Sequence, residues 1–181
     1  MGDDAELWIE SGGDPTSLID YGYYFDDYYD DYYDDEEYES TSNRKKNTMV
    51  FIDAENISVD HCARIIGQSQ SIGEVFEMRY YARQSDPSTA AWKDYARSYG
   101  IKPILMCGEA EHNKIDKKIV KDIRRIVNTN KSIDIFCIAS RDGDYTTITQ
   151  ELRKLKKRVI ILAAKNTSEK LKKSASEVRG I

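Results

Sequence analysis

The chain has 181 residues with 27 Lys+Arg, 32 Asp+Glu, two His and three Cys, for a net charge of −5. That length suits one domain of ordinary size with room for a tail. The longest apolar runs, such as Val159–Ala164, are far shorter than the roughly 20 residues of a spanning helix, so no membrane span is expected. Residues 1–4 are acidic rather than basic and no apolar stretch follows them, so a secretory signal is not expected. Cys62, Cys107 and Cys137 are odd in number and widely spaced, which fits neither a disulfide framework nor a zinc signature. These features predict a reduced, cytoplasmic protein.

The average charge conceals a segregation. Residues 1–48 carry 15 acidic and three basic side chains, leaving 17 acidic and 24 basic ones for the remainder. An acidic tail therefore joins a basic body, and such asymmetry points to nucleic acid for the body and an interaction role for the tail. Residues 21–38 alternate Tyr-Tyr with Asp-Asp and supply no aliphatic core. Like charges in blocks repel, so 1–47 is predicted to be disordered, ahead of a folded domain over 48–181.

From residue 48 the pattern is that of a folded α/β domain. Met49–Asp53 is an apolar run ending in a carboxylate and predicts a buried strand. Ser58 suits the cap of a helix reaching about Gly67. Glu74–Tyr81 alternates as a second strand. Residues 88–99 space Ala91, Trp92, Tyr95, Ala96 and Tyr99 as a helix, with Gly100 as its stop. Ile101–Met106 is a third strand, and Pro103 within it predicts a sheet edge. Lys114–Val127 has the strongest helical spacing, with Ile115, Ile119, Ile123 and Ile126 on one face. Ile133–Ala139 predicts a strand, Asp144–Lys157 a helix, Arg158–Ala163 a strand, and Ser168 onward a last helix. Alternation of this kind calls for a parallel sheet covered on both faces.

In such sheets, ligands bind beyond the carboxyl ends of the strands, where the strand order reverses. Asp53 ends the first strand, Asp142 and Asp144 follow the fourth, and Asp116 lies in the first turn of the third helix. All four map to that edge. Each has an ordinary structural reading too: Asp53 and Asp142 as helix caps, Asp116 as a favourable charge at a helix N-terminus. Their conjunction at one edge is harder to explain structurally. Two carboxylates ~5 Å apart repel by roughly 3 kcal/mol at an effective dielectric of about 20. Raised pKa values or a bound cation relieve that repulsion, and oxygen-only ligands favour Mg²⁺ or Mn²⁺ over zinc. No glycine-rich phosphate loop is present.

The stretches Phe51–Asn56, Lys114–Asp116 with Asp122 further on, and Ser140–Tyr145 resemble the three motifs of NYN domains, a group of PIN-like nucleases, and look closest to the LabA-like branch. The resemblance covers about 48–181. It implies a three-layer α/β/α, Rossmann-like fold with sheet order 3-2-1-4-5 and a metal-dependent ribonuclease. By position it implies that Asp53, Asp116, Asp142 and Asp144 hold the metal. Asn56 would orient the first-strand loop, Ser140 would position the fourth-strand loop, and Lys114 would lie near the scissile phosphate. Asp122 lies six residues beyond Asp116, about 240° further round the helix, and is not expected in the same site. Arg141 stands where the family commonly has Gly and is a candidate phosphate contact. Tyr145 replaces a more common Phe and keeps aromatic packing.

The expected reaction is hydrolysis of an RNA phosphodiester bond with a carboxylate-held Mg²⁺ or Mn²⁺. His61 and His112 are not needed for it. Lys114, Arg141, Lys165 and Lys170 lie nearest the carboxylate edge and are the expected contacts to RNA, whether single-stranded or structured. Phosphate contacts of this type give affinity without sequence readout. Two other readings stand beside this one: a non-catalytic RNA- or protein-binding module, and a toxin or defence nuclease restrained by its acidic tail or by a partner. The tail is a candidate surface for a protein partner, and an oligomer is compatible with the sequence.

Overall fold

The computed structural model describes residues 44–107 and 114–181. The Tyr/Asp-rich tail and His112 lie outside these residues, and so do the expectations placed on them. Six strands form one parallel sheet: β1 (Asn47–Asp53), β2 (Glu74–Arg83), β3 (Lys102–Met106), β4 (Ile133–Ala139), β5 (Arg158–Ala163) and β6 (Glu177–Gly180). Their order is β3-β2-β1-β4-β5-β6. All five neighbouring pairs are parallel. The order reverses between β1 and β4, and β3 occupies an edge as Pro103 predicts.

Five helices connect the strands among the described residues: α1 (Cys62–Ile72), α2 (Ser88–Tyr99), α3 (Lys114–Thr129), α4 (Thr146–Lys154) and α5 (Glu169–Ser174). Single 3₁₀ turns over Val59–His61 and Gly143–Tyr145 lead into α1 and α4. Ser58 caps the first turn rather than the α-helix itself, its hydroxyl accepting from the Asp60 N–H. Gly100 stops α2 in the left-handed conformation (φ 66°), a conformation that costs glycine nothing.

Alternation along the strands builds two cores. Val50, Ile52, Tyr80, Ala82, Cys137 and Leu162 face α1 and α2, around the fully buried Trp92. Phe51, Tyr81, Phe136, Ile138 and Ile161 face α3, α4 and α5. Phe51 stacks between Tyr81 and Phe136, with ring centroids 6.3 and 6.2 Å away. The expected α/β/α architecture is therefore present.

The C-terminal region corrects the sequence reading. The last helix is only Glu169–Ser174, and Glu177–Gly180 adds a sixth strand beside β5 that order 3-2-1-4-5 does not contain. Ala175 is already extended (φ −77°, ψ 163°). Four alternating residues carry too little periodicity to be read as a strand; the β5 edge supplies the pairing, and Ile181 packs into the α1/α2-side core. The helix predicted over 144–157 is also shorter, because Lys156 turns left-handed (φ 57°) after Lys154. Among the described residues no helix is long and apolar enough to cross a membrane.

Candidate metal centre at the carboxyl edge of the sheet

Three loops and one helix start meet where β1 and β4 end. Asp53 is the last residue of β1 and is buried (1 % exposed). Its Oδ2 accepts from Asn56 Nδ2 at 2.7 Å, Ser140 Oγ at 3.0 Å and Tyr145 OH at 3.1 Å. Its backbone carbonyl accepts from the N–H groups of Asn56 and Ile57, closing the turn after the strand. The Ser140 hydroxyl also accepts from the Asp142 N–H at 3.1 Å, so one side chain ties the β4 loop to Asp53.

Asp142 caps the 3₁₀ turn, its Oδ1 accepting from the Asp144 N–H at 2.9 Å. This turn aims Asp142 and Asp144 toward Asp116 in the first turn of α3. One carboxylate oxygen from each of Asp116, Asp142 and Asp144 lies within 4.8 Å of the others. Gly143 keeps the turn close to the loop before α5: a Cβ there would stand 3.0 Å from Ser168 Oγ. The Ser168 N–H donates to the Arg141 carbonyl at 3.0 Å, joining the two loops.

Of the four expected metal ligands, the structure brings Asp116, Asp142 and Asp144 together, and Asp53 lies behind them. The link is Tyr145, whose hydroxyl is 2.5 Å from Asp116 Oδ1 and 3.1 Å from Asp53 Oδ2. A phenol has one proton and donates to one carboxylate at a time. The second contact is repulsive unless a proton sits on one carboxyl or a cation draws charge from the pair. Burial raises the Asp53 pKa, and the Asp116 charge adds to the rise, against the lowering by its hydrogen bonds. Burial also raises that of Asp116, and the charges of Asp142, Asp144 and Glu55 push it the same way. Burial and the two neighbouring carboxylates hold the Tyr145 hydroxyl far above the usual phenol range, so it stays protonated.

Among the described residues no Lys or Arg forms an ion pair with Asp53, Asp116, Asp142 or Asp144. A solvent-facing group of three carboxylates without a counter-charge fits a hard divalent cation held by oxygen. Asp122 is different. It is buried on another face of α3, accepts from Tyr81 OH at 3.1 Å and Lys118 Nζ at 2.9 Å, and has Arg79 and Arg125 at 3.8 Å. Its charge is neutralised locally, and it lies outside the cluster, as its angular offset predicts.

The expected RNA contacts lie around this edge. Lys114 is half-buried, two residues before Asp116, and Arg141, Lys165 and Lys170 are exposed. Arg141 also lines an open pocket of about 360 Å³ with Glu55, Asn56 and Asp86, beside the turn after β1. Three contributors were not legible as such in the sequence. The Tyr145 hydroxyl joins two carboxylates where packing alone was expected. Glu55, held by Arg83 Nε at 2.6 Å, adds negative charge near Asp116. Ser168 braces the Asp142 loop. Only Tyr145 offered a signal, since a buried tyrosine hydroxyl needs a partner.

The comparison that decides the family spans nearly the whole described region: the NYN domain family matches residues 47–180. The chain belongs to the NYN domain family. NYN domains fit the PIN-like superfamily and are in general nucleases; the match does not distinguish branches within the family. No curated protein matches the chain. Among solved structures, a protein of unknown function from Vibrio parahaemolyticus is similar at 18 % identity, with a TM-score of 0.64, covering 77 % of this chain and 94 % of its own. At that identity the likeness is one of fold.

Proposed function

We propose that this NYN domain is a metal-dependent endoribonuclease whose centre is Asp116, Asp142 and Asp144, with Asp53 behind them. The observation that carries the reading is the approach of three carboxylates to within 4.8 Å of one another with no Lys or Arg among the described residues in ion-pair contact with them. At an effective dielectric of about 20 each such pair is repelled by roughly 3 kcal/mol. A Mg²⁺ or Mn²⁺ ion bound there supplies Lewis acidity toward the phosphoryl oxygens and a more acidic water.

The protein's own groups divide the remaining work. Asp116, Asp142 and Asp144 present oxygen ligands from two elements. Asp53 orients them indirectly, through Tyr145 to Asp116 and through Ser140 to the Asp142 backbone. Asn56 closes the β1 turn on Asp53 and keeps that carboxylate from rotating. Lys114, Arg141, Lys165 and Lys170 are proposed to bind the flanking phosphates, positioning the chain without reading its bases.

Incubation of the full chain with RNA in Mg²⁺, Mn²⁺ or EDTA tests the reading. Cleavage is expected with either metal and none with chelator, and Asp142→Asn is expected to lose at least about 100-fold, as removal of a principal electrostatic group does. Undiminished cleavage in EDTA, or by Asp142→Asn, overturns it.

A further inference from the structure

The charged surface of α3 connects the carboxylate edge to a second basic feature at the opposite edge of the sheet. In a parallel sheet the crossover helix runs back from the carboxyl ends of the strands to their amino ends. α3 therefore starts beside Asp116 and ends beside the start of β4, about 24 Å away for 16 residues. Along it, Lys114, Lys117, Lys121, Arg124 and Arg125 fall within a sector of about 100° at 3.6 residues per turn. The buried residues Ile115, Ile119, Ile123 and Ile126 occupy the opposite side. Both acidic residues of the helix, Asp116 and Asp122, lie outside this outer sector. Lys117 and Lys121 are exposed and form no ion pair among the described residues. Among the described residues the stripe's ion pairs are Arg124 with Glu151 at 2.7 Å and Arg125 with Asp122 at 3.8 Å.

Where α3 ends, an open pocket of about 340 Å³ is lined by Lys46, Lys156, Lys157 and Arg158, with Asp134 and Leu155. Lys157 Nζ donates to the Ile133 carbonyl at 2.6 Å and to the Lys131 carbonyl at 3.3 Å, so this lysine belongs to the turn that follows α3. Asp134 is engaged by Arg44 at 3.1 Å and by the Asn47 N–H at 3.0 Å. Lys46 and Lys156 are left without an ion pair among the described residues.

We propose that the outer face of α3 and this far-edge pocket form one exosite for single-stranded RNA, which runs along α3 from the carboxylate centre to the opposite edge. The proposal rests on the nuclease reading for its substrate but not for its test. A single strand follows a positively charged groove through its phosphates. RNA too short to leave the carboxylate edge gains nothing from the exosite, and longer RNA gains affinity without sequence preference.

The test is binding, measured by anisotropy in EDTA with the full chain and end-labelled oligouridylates of about 4 and about 16 nucleotides, the range of single-strand footprints. The variant combines Lys46→Gln, Lys117→Gln, Lys121→Gln and Lys156→Gln, none of which is assigned to the metal centre. Its affinity for the long RNA is expected to fall at least about tenfold at low salt. Its slope of log affinity against log salt is expected to shrink by up to about 3, at ~0.7 per lost phosphate contact. Affinity for the short RNA is expected to stay within about twofold, and the melting temperature to stay unchanged. Unchanged binding and slope with long RNA overturn the exosite, as does an equal loss with both lengths. Polyaspartate binding as tightly as RNA of equal charge overturns it too, by making the surface a general seat for polyanions. Failure of the wild-type chain to cleave any RNA with Mn²⁺ sinks the nuclease reading and leaves the binding result standing.

Discussion

Tyr145 is where a single hydroxyl does most at this site. It lies 2.5 Å from Asp116 and 3.1 Å from Asp53, fully buried, with one proton to donate to either acid. Groups that orient ligands typically contribute about 10- to 100-fold to metal affinity or activity. Tyr145→Phe keeps the ring and is expected to weaken Mn²⁺ binding by that factor, read by calorimetry, with a stability change of about 1 kcal/mol or less. Wild-type affinity in Tyr145→Phe would remove the hydroxyl from the mechanism. Asp53 supplies a pH signature. Its folded pKa is raised, so the folded state binds a proton more tightly than the unfolded chain, whose value is about 3.8. Its ionised form destabilises the fold; as pH falls through its raised folded value the protein gains stability, and the gain is complete below 3.8. Melting temperatures taken downward from pH 7 are expected to decline less steeply, or rise more, in the wild type than in Asp53→Asn. Parallel curves would contradict the sign.

At the scale of elements, the site depends on two loops fastened from different directions. Trp92 on α2 stacks on Tyr80 at 5.7 Å, and its Nε1 donates to the Ile57 carbonyl at 3.3 Å, immediately after the Asp53 turn. Trp92→Ala is expected to cost about 3–5 kcal/mol, as large-to-small changes of a buried aromatic do. Trp92→Phe retains the stack and is expected to cost about 1–2 kcal/mol for one lost hydrogen bond and some packing. Urea denaturation of both variants checks the difference, and equal costs would deny the ring its part. The surface pair Arg124–Glu151 is exposed on both sides (53 % and 40 % side-chain exposure). Such pairs contribute about 0–1 kcal/mol, so Arg124→Ala is expected to leave stability nearly unchanged, and a loss of RNA affinity in it would belong to the proposed exosite.

For the whole molecule, the proposed metal would be linked to the fold. A cation that binds only the folded chain stabilises it by about 2.7 kcal/mol at 100 times its dissociation constant. Mn²⁺ is therefore expected to raise the melting temperature of the wild type and to leave that of Asp116→Asn nearly unchanged; equal shifts would place the ion elsewhere. The charge segregation of the sequence, an acidic N-terminal stretch followed by a basic remainder, takes a definite form over the described residues: cations line α3 and the far-edge pocket, and Lys114, Arg141, Lys165 and Lys170 surround the carboxylate group.

Much of this was legible in residue order. Apolar runs bounded by Gly and Pro, and the Ile spacing of α3, determine a parallel α/β domain because burial on one or both faces imposes a period that a single sequence carries. Asp53, Asp116, Asp142 and Asp144 mapped to one edge because a parallel sheet gathers its strand ends there. The sequence alone could not show β6, whose four residues become a strand only when β5 offers an edge. Nor could it show that three of those carboxylates form the open group while Asp53 lies buried behind a tyrosine. Separations of a few ångströms between residues 29 to 92 positions apart are set by how the β4 turn packs against α3, and only tertiary structure decides that.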